Sequence, residues 1–107
     1  MMHITAPELA SWIADDSRAK PVLLDVREPW EFEICHIDGA VAMPMDTVPA
    51  RYAELDETAA IVCICHHGVR SAQVAAFLDD RGFSEVANLA GGVHAWALQV
   101  DSRMPTY

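Results

Sequence analysis

The chain has 107 residues, 52% of them hydrophobic, with 16 acidic against 7 basic side chains and a formal net charge of -9. That length holds one domain around a single core and leaves no room for a second, and the acidic balance excludes nucleic acid and anionic membrane surfaces as partners. The acidic residues form no single cluster: Asp15 and Asp16, Glu54 to Glu57, and Asp79 and Asp80 fall on turns and helix faces, a pattern that serves solubility. The start MMHITAPELA lacks a basic leader region, and no apolar run is long enough to span a bilayer, so a soluble cytoplasmic protein is expected. Three cysteines without an export signal read as reduced thiols.

Thr5-Ala6-Pro7-Glu8 has the spacing of a capping box with proline tolerated early, and Leu9, Trp12 and Ile13 give one apolar face, which predicts a helix to about Asp15. Pro21 to Val26 is a short apolar strand closed by charged residues, and Glu28 to Cys35 a short helix with Trp30, Phe32 and Ile34 partly buried. Ile37 to Gly39 is a turn. Ala40 to Met43 is a brief strand ended by Pro44, after which Asp46 caps a helix through Leu55. Ala59 to Ile64 is the central strand. Beyond the segment Cys65 to Ser71, the positions Val74, Phe77 and Leu78 predict a helix ending near Gly82, a left-handed cap position. Val86 to Leu89 is the last strand; Gly91-Gly92 opens a helix burying Val93, Trp96, Ala97 and Val100, and the tail Met104 to Tyr107 has no regular pattern. Strands alternating with helices specify an α/β fold with a central parallel sheet. In such sheets ligands sit beyond the strands' carboxyl ends, where Asp25, Arg27 and Cys65 gather.

The segment Cys65-His66-His67-Gly68-Val69-Arg70-Ser71 places a thiol where an apolar strand ends and a helix begins. The N–H groups of such a turn and helix start converge on one spot and stabilise a thiolate and any anion beside it. Gly68 lets the backbone curl closely, and Arg70 adds a permanent charge with a forked donor suited to oxyanions. Cys65 is therefore the candidate nucleophile, with His66, His67, Gly68, Val69, Arg70 and Ser71 as candidate substrate-binding residues. A free cysteine titrates at about 8.5, so the loop must favour the anion if the thiol is to react near neutral pH. Arg27 is a further candidate for binding an anionic donor, while Asp25 fixes the local turn or pairs with Arg27, and a structural role fits both at least as well.

Cys63 shares a strand face with Cys65, but alpha-carbons about 7 Å apart are at the edge of disulfide reach, so it reads as core filling. Cys35 is either an ordinary helix-end cysteine or a second reactive thiol. Cys63, Cys65, His66 and His67 also carry metal-ligating atoms; adjacent strand-end residues point apart, however, and Arg70 repels a cation, so no metal is expected. His66 and His67 read either as solvent-facing loop residues or as groups that bind the donor or deliver a proton. Glu31 reads as helix decoration, Trp96 as core, and His94 as a helix residue.

Four segments, in this order and spacing, resemble the rhodanese-like single-domain sulfurtransferases: Asp25-Val26-Arg27-Glu28 with Trp30-Glu31-Phe32; His36-Ile37-Asp38-Gly39-Ala40 followed by Pro44; the Cys65 loop; and Leu89-Ala90-Gly91-Gly92-Val93-His94-Ala95-Trp96. The match covers nearly the whole chain. It implies a rhodanese-like domain over residues 1–107, helices flanking a parallel sheet, and a Cys65 persulfide that carries sulfur from thiosulfate or another sulfane-sulfur donor to cyanide, a thiol or a sulfur-accepting protein. No metal or organic cofactor is implied. His66 to Arg70 match the rest of a six-residue loop whose amides cradle the sulfur and the donor's oxyanion. Phosphatases of related fold use a loop one residue longer, which makes phosphate or arsenate chemistry the poorer match. A non-catalytic or redox-sensing module of the same fold is the remaining alternative. One departure is Cys35, where the family usually has glycine; if that position needs a positive φ, cysteine is strained there.

Overall fold

The computed structural model describes all 107 residues. The chain runs β1 (Met2–Ile4), α1 (Ala6–Ala14), β2 (Val22–Asp25), α2 (Pro29–Ile34), β3 (Val41–Ala42), a 3-10 turn (Met45–Thr47), α3 (Val48–Arg51), a second 3-10 turn (Tyr52–Glu54), β4 (Ala60–Ile64), α4 (Val69–Asp80), β5 (Glu85–Leu89) and α5 (Gly92–Gln99). The strands form one sheet in the order β1-β5-β4-β2-β3, and every neighbouring pair is parallel. An all-parallel sheet needs both faces covered, and this one has a core on each. Against one face lie Leu9 and Trp12 of α1 and Val93 and Trp96 of α5, over Leu23, Val62, Ile64, Ala87 and Leu89. Against the other lie Val48 of α3 and Val74, Ala75 and Leu78 of α4, over Leu24, Ile61, Cys63 and Val86. The two-residue alternation along β4 sends Val62 and Ile64 one way and Ile61, Cys63 and Cys65 the other.

The α1 cap is the reciprocal box expected: Thr5 Oγ1 accepts from the Glu8 N–H at 3.2 Å and Glu8 Oε1 accepts from the Thr5 N–H at 2.8 Å. Three expectations need correction, and one strand was not expected. The strand β1, only three residues long with two of them exposed, carried no alternation to read. In α2 the buried residue is Glu31, whereas Trp30 and Ile34 are 59% and 41% exposed, because a six-residue helix at the sheet's end turns its acidic side toward the basic groups near Cys65. Asp46 makes no cap bond; the segment through Leu55 is one turn of α-helix between two 3-10 turns. Val100 lies beyond the end of α5 and is exposed.

One close approach fixes the site's walls. The first turn of α5 docks onto the chain leaving β4: the Val93 N–H donates to the Cys65 carbonyl at 2.9 Å and the His94 N–H to the His66 carbonyl at 3.1 Å. These are helix-start donors that have no acceptor within α5. Gly92 makes the approach possible, with φ +60° and its alpha-carbon so near the carbonyls of Cys65 and His66 that a methyl group there would overlap both oxygens. Gly92→Ala is expected to cost about 3 kcal/mol or more, since backbone must move apart and two hydrogen bonds are lost; the urea midpoint of the purified variant measures this, and an unchanged midpoint would refute the packing argument.

Candidate active site

Cys65 lies one residue past the end of β4, and its sulfur faces polar donors. The Gly68 N–H donates to Sγ at 3.1 Å, and Ser71 Oγ is 3.2 Å from it. Gly68 caps α4 with φ +103°, a conformation that brings its N–H back over the sulfur and that side-chain-bearing residues rarely adopt. The next N–H groups, of Val69, Arg70 and Ser71, start α4 and have no carbonyl ahead of them in their own helix. Ser71 is fully buried and also contacts Asn88 Oδ1 at 2.5 Å, while the Asn88 amide nitrogen donates to the Gly68 carbonyl and to His3 Nδ1, both at 3.1 Å. A hydroxyl has one proton. In the thiol state Ser71 can give it to Asn88 and accept from the S–H; in the thiolate state it can turn to the sulfur. The sulfur is shielded as well as solvated by donors: Cys65 is 1% exposed, and none of the four surface cavities is lined by it.

Around this loop runs a chain of alternating charges. Arg27 is 1% exposed. Its Nε and Nη2 donate to the Asp25 carboxylate at 2.9 and 2.7 Å, Nη2 also to the Cys35 carbonyl at 2.6 Å, and Nη1 to the Glu31 carbonyl at 3.2 Å and to Tyr107 Oη at 2.9 Å. Tyr107 Oη in turn donates to Glu31 Oε2 at 2.7 Å. Glu31 takes both terminal nitrogens of Arg70, at 2.6 and 2.9 Å, and the Glu28 N–H at 3.0 Å. The Arg70 bonds, outweighing burial, hold the Glu31 carboxyl down to about 2. Burial pushes the Tyr107 phenol up to about 12. For Arg70 the bond to Glu31 raises the guanidinium above its ordinary range; for Arg27 burial works downward, but Asp25 and Tyr107 outweigh it. Of the two roles read for Arg27, anion binding and structural pairing, the geometry displays the second: its donors are engaged inside the protein and the residue is buried.

Arg70 is also paired, but its side chain is 35% exposed, and no partner occupies its Nε–H. The rings of His66 and His67 stack at 4.0 Å, and Tyr107 stacks on His66 at 3.9 Å with the planes 6° apart. Burial, then the neighbouring His67, lowers the His66 pKa from its ordinary value. Trp30 meets the edge of Tyr107 with centroids 6.1 Å apart. Glu31, Asn88, His3 and Tyr107 escaped sequence reasoning. For Glu31 a signal existed, since a carboxylate in a helix whose apolar face was weak needed some reason to be there; for the tail tyrosine there was none.

A family model described as the rhodanese-like domain matches residues 5–99. The chain is a member of the rhodanese-like family. It is 41% identical over 106 residues to the probable adenylyltransferase/sulfurtransferase MoeZ of Mycobacterium tuberculosis, covering 97% of this chain and 26% of that protein, so it spans about a quarter of that relative's length. The thiosulfate sulfurtransferase GlpE of Pseudomonas syringae is 37% identical, covering 70% of this chain and 71% of that one. The crystal structure of a rhodanese-like domain protein from Staphylococcus aureus superposes with a TM-score of 0.83 at 31% identity, over 100% of this chain and 99% of that one.

Within this rhodanese-like domain the departure at Cys35 carries no strain. Its φ of -165° and ψ of 151° are extended backbone, and no residue other than glycine has a positive φ. The position before His36 is used for its carbonyl, which Arg27 grips, and the buried thiol lies 4.0 Å from Arg27 Nη1. Cys63 fills the core, where burial followed by repulsion from Cys65 pushes its thiol up to about 12. All three cysteines are free.

Two tests follow from the charge chain. Arg27→Met leaves Asp25 buried without its partner and is expected to lower unfolding free energy by about 3–5 kcal/mol, read from urea curves. Glu31 supplies a pH signature. Its folded value of about 2 lies below the ordinary 4.5, so its contribution is complete above 4.5 and drains as pH falls toward 2. Allowing for the part-exposed Arg70, about 2 kcal/mol should disappear over that window in the native chain, and Glu31→Gln should flatten the acid limb there.

Proposed function

We propose that this domain is a sulfurtransferase that carries sulfane sulfur as a persulfide on Cys65. Cys65 thiolate attacks the outer sulfur of thiosulfate or a similar donor; the bond from that sulfur to the sulfonate breaks, and sulfite leaves with its electron pair. An acceptor nucleophile, such as cyanide, a thiol or a sulfur-accepting protein, then attacks the terminal sulfur and regenerates the thiolate. The single observation that carries this reading is the Gly68 N–H directed at Sγ with the Ser71 hydroxyl within hydrogen-bond reach of it, at the start of a 12-residue helix. A buried core thiol has no use for such donors; a thiolate does.

The backbone N–H groups from His66 to Ser71 form the cradle for the donor's anionic end, with His66 and His67 lining its approach. Arg70 adds its exposed side and its Nε–H, and its pairing with Glu31 keeps the fork in place. Arg27 acts one step away, by holding Asp25, Cys35 and Tyr107. The 1% exposure of Cys65 suits a persulfide that must survive stray thiols, and it requires loop side chains to move aside when donor or acceptor arrives. The name of the Pseudomonas relative supports thiosulfate as donor. Three free cysteines support a reducing, cytoplasmic setting.

Incubation with thiosulfate should add the mass of one sulfur atom to the intact chain, and later cyanide should remove it as thiocyanate. Cys65→Ser should abolish loading, whereas Cys63→Ser and Cys35→Ser should retain it. No loading at all would favour a binding module, loading that persists in Cys65→Ser would move the nucleophile elsewhere, and phosphate release from an aryl phosphate without sulfur uptake would favour phosphatase chemistry.

A further inference from the structure

Three imidazoles, two from the Cys65 loop and one from α5, converge more closely than lining a donor's approach requires. His66 and His67 lie in the bend that follows β4, and His94 in the first turn of α5, and one ring nitrogen from each lies within 4.8 Å of the other two. The expectation that adjacent residues point apart holds for an extended strand. Past Cys65 the backbone bends, and the His66 and His67 rings stack instead at 4.0 Å, with His94 at 5.0 Å from His67. The convergence is built into the scaffold, because the His94 N–H donates to the His66 carbonyl at 3.1 Å and ties the two segments together. Tyr107, stacked on His66, fixes the plane of that ring.

Two of the trio's nitrogens, His66 Nε2 and His94 Nδ1, are buried and have no hydrogen-bond partner. Buried polar atoms are nearly always partnered, so an orphaned pair in one cluster points to a ligand. The second objection to a cation also falls: Arg70 is neutralised by Glu31 and Arg27 by Asp25, and the chain as a whole carries a charge of -9.

We propose that His66, His67 and His94 bind one divalent cation of borderline softness, of the zinc(II) class, at the rim of the Cys65 loop. Nitrogen donors favour zinc, cobalt, nickel or copper over magnesium or calcium, which prefer oxygen. Tetrahedral zinc with Zn–N near 2.0–2.1 Å sets its ligand atoms about 3.3 Å apart, so the nitrogens must close by at most roughly 1.5 Å onto the fixed His66 ring, which rotation of the His67 and His94 rings can supply. Three histidines leave a fourth position for solvent or a small anion. The cation is no participant in the persulfide chemistry, and its binding is measured without sulfur transfer, so failure of either reading leaves the other standing.

The test is titration of the full chain with cobalt(II) chloride, followed by zinc(II) chloride as competitor. One equivalent of cobalt should bind with a tetrahedral d–d spectrum, without thiolate-to-metal charge transfer, and zinc should displace it. His94→Ala and His67→Ala should each weaken binding about tenfold or more with an unchanged circular dichroism spectrum. Should His94→Ala fail to fold, His67→Ala decides, because His67 is exposed. No stoichiometric binding, a thiolate charge-transfer band, or affinity retained in the folded variants would each overturn the site.

Discussion

A guanidinium with no access to water holds this molecule's working end together. Arg27 alone at that depth would cost several kcal/mol, and the cost is met only by a complete set of acceptors drawn from the end of β2, from α2, from the residue after α2 and from the tail. Tyr107 extends the chain of charges, accepting from Arg27 and donating to Glu31, and Glu31 passes it to Arg70 in α4. Two carboxylates face two guanidiniums, so the set is neutral. The stretch from Asp25 to Cys35, the start of α4 and the tail are thereby given one arrangement, and Arg70 ties the loop that carries Cys65 to it.

The sheet supplies the rest. Parallel strands bring their carboxyl ends to one edge, and the neighbours β2 and β4 deliver Asp25 and Cys65 there side by side. The helix that follows each strand starts at the same edge, so unpaired N–H groups accumulate where the thiol is. The α4 start turns such groups toward the sulfur, while the α5 start spends its own on the carbonyls of Cys65 and His66. One helix serves the Cys65 sulfur and the other braces the loop that bears it. The Ser71–Asn88–His3 chain adds a hydroxyl whose proton can follow the charge on sulfur.

Much of this was legible in the residues, because local rules sufficed. The Thr5–Glu8 box, the apolar run Ala59 to Ile64, the close curl at Gly68 after a strand-end thiol and the apolar spacing of α4 each depend on neighbours a few positions away. The failures share a cause. Glu31 looked like surface because its partners Arg70 and Tyr107 lie 39 and 76 positions away. Arg27 fitted a donor-binding or a structural role equally, and only the fold reveals that its N–H donors are engaged by Asp25, Glu31, Cys35 and Tyr107. The strand β1 owes its existence to pairing with β5, not to any pattern of its own.

The sequence by itself determined the α/β plan, the order of the elements and the placing of Cys65 at the mouth of a helix, since periodicity, capping and turn chemistry are short-range effects. Tertiary structure alone decided which charges are buried, that Cys35 sits in relaxed extended backbone, that the tail tyrosine lies on the Cys65 loop and that His94 joins His66 and His67. Burial and pairing depend on which segments meet in space, and that is settled by packing over the whole chain.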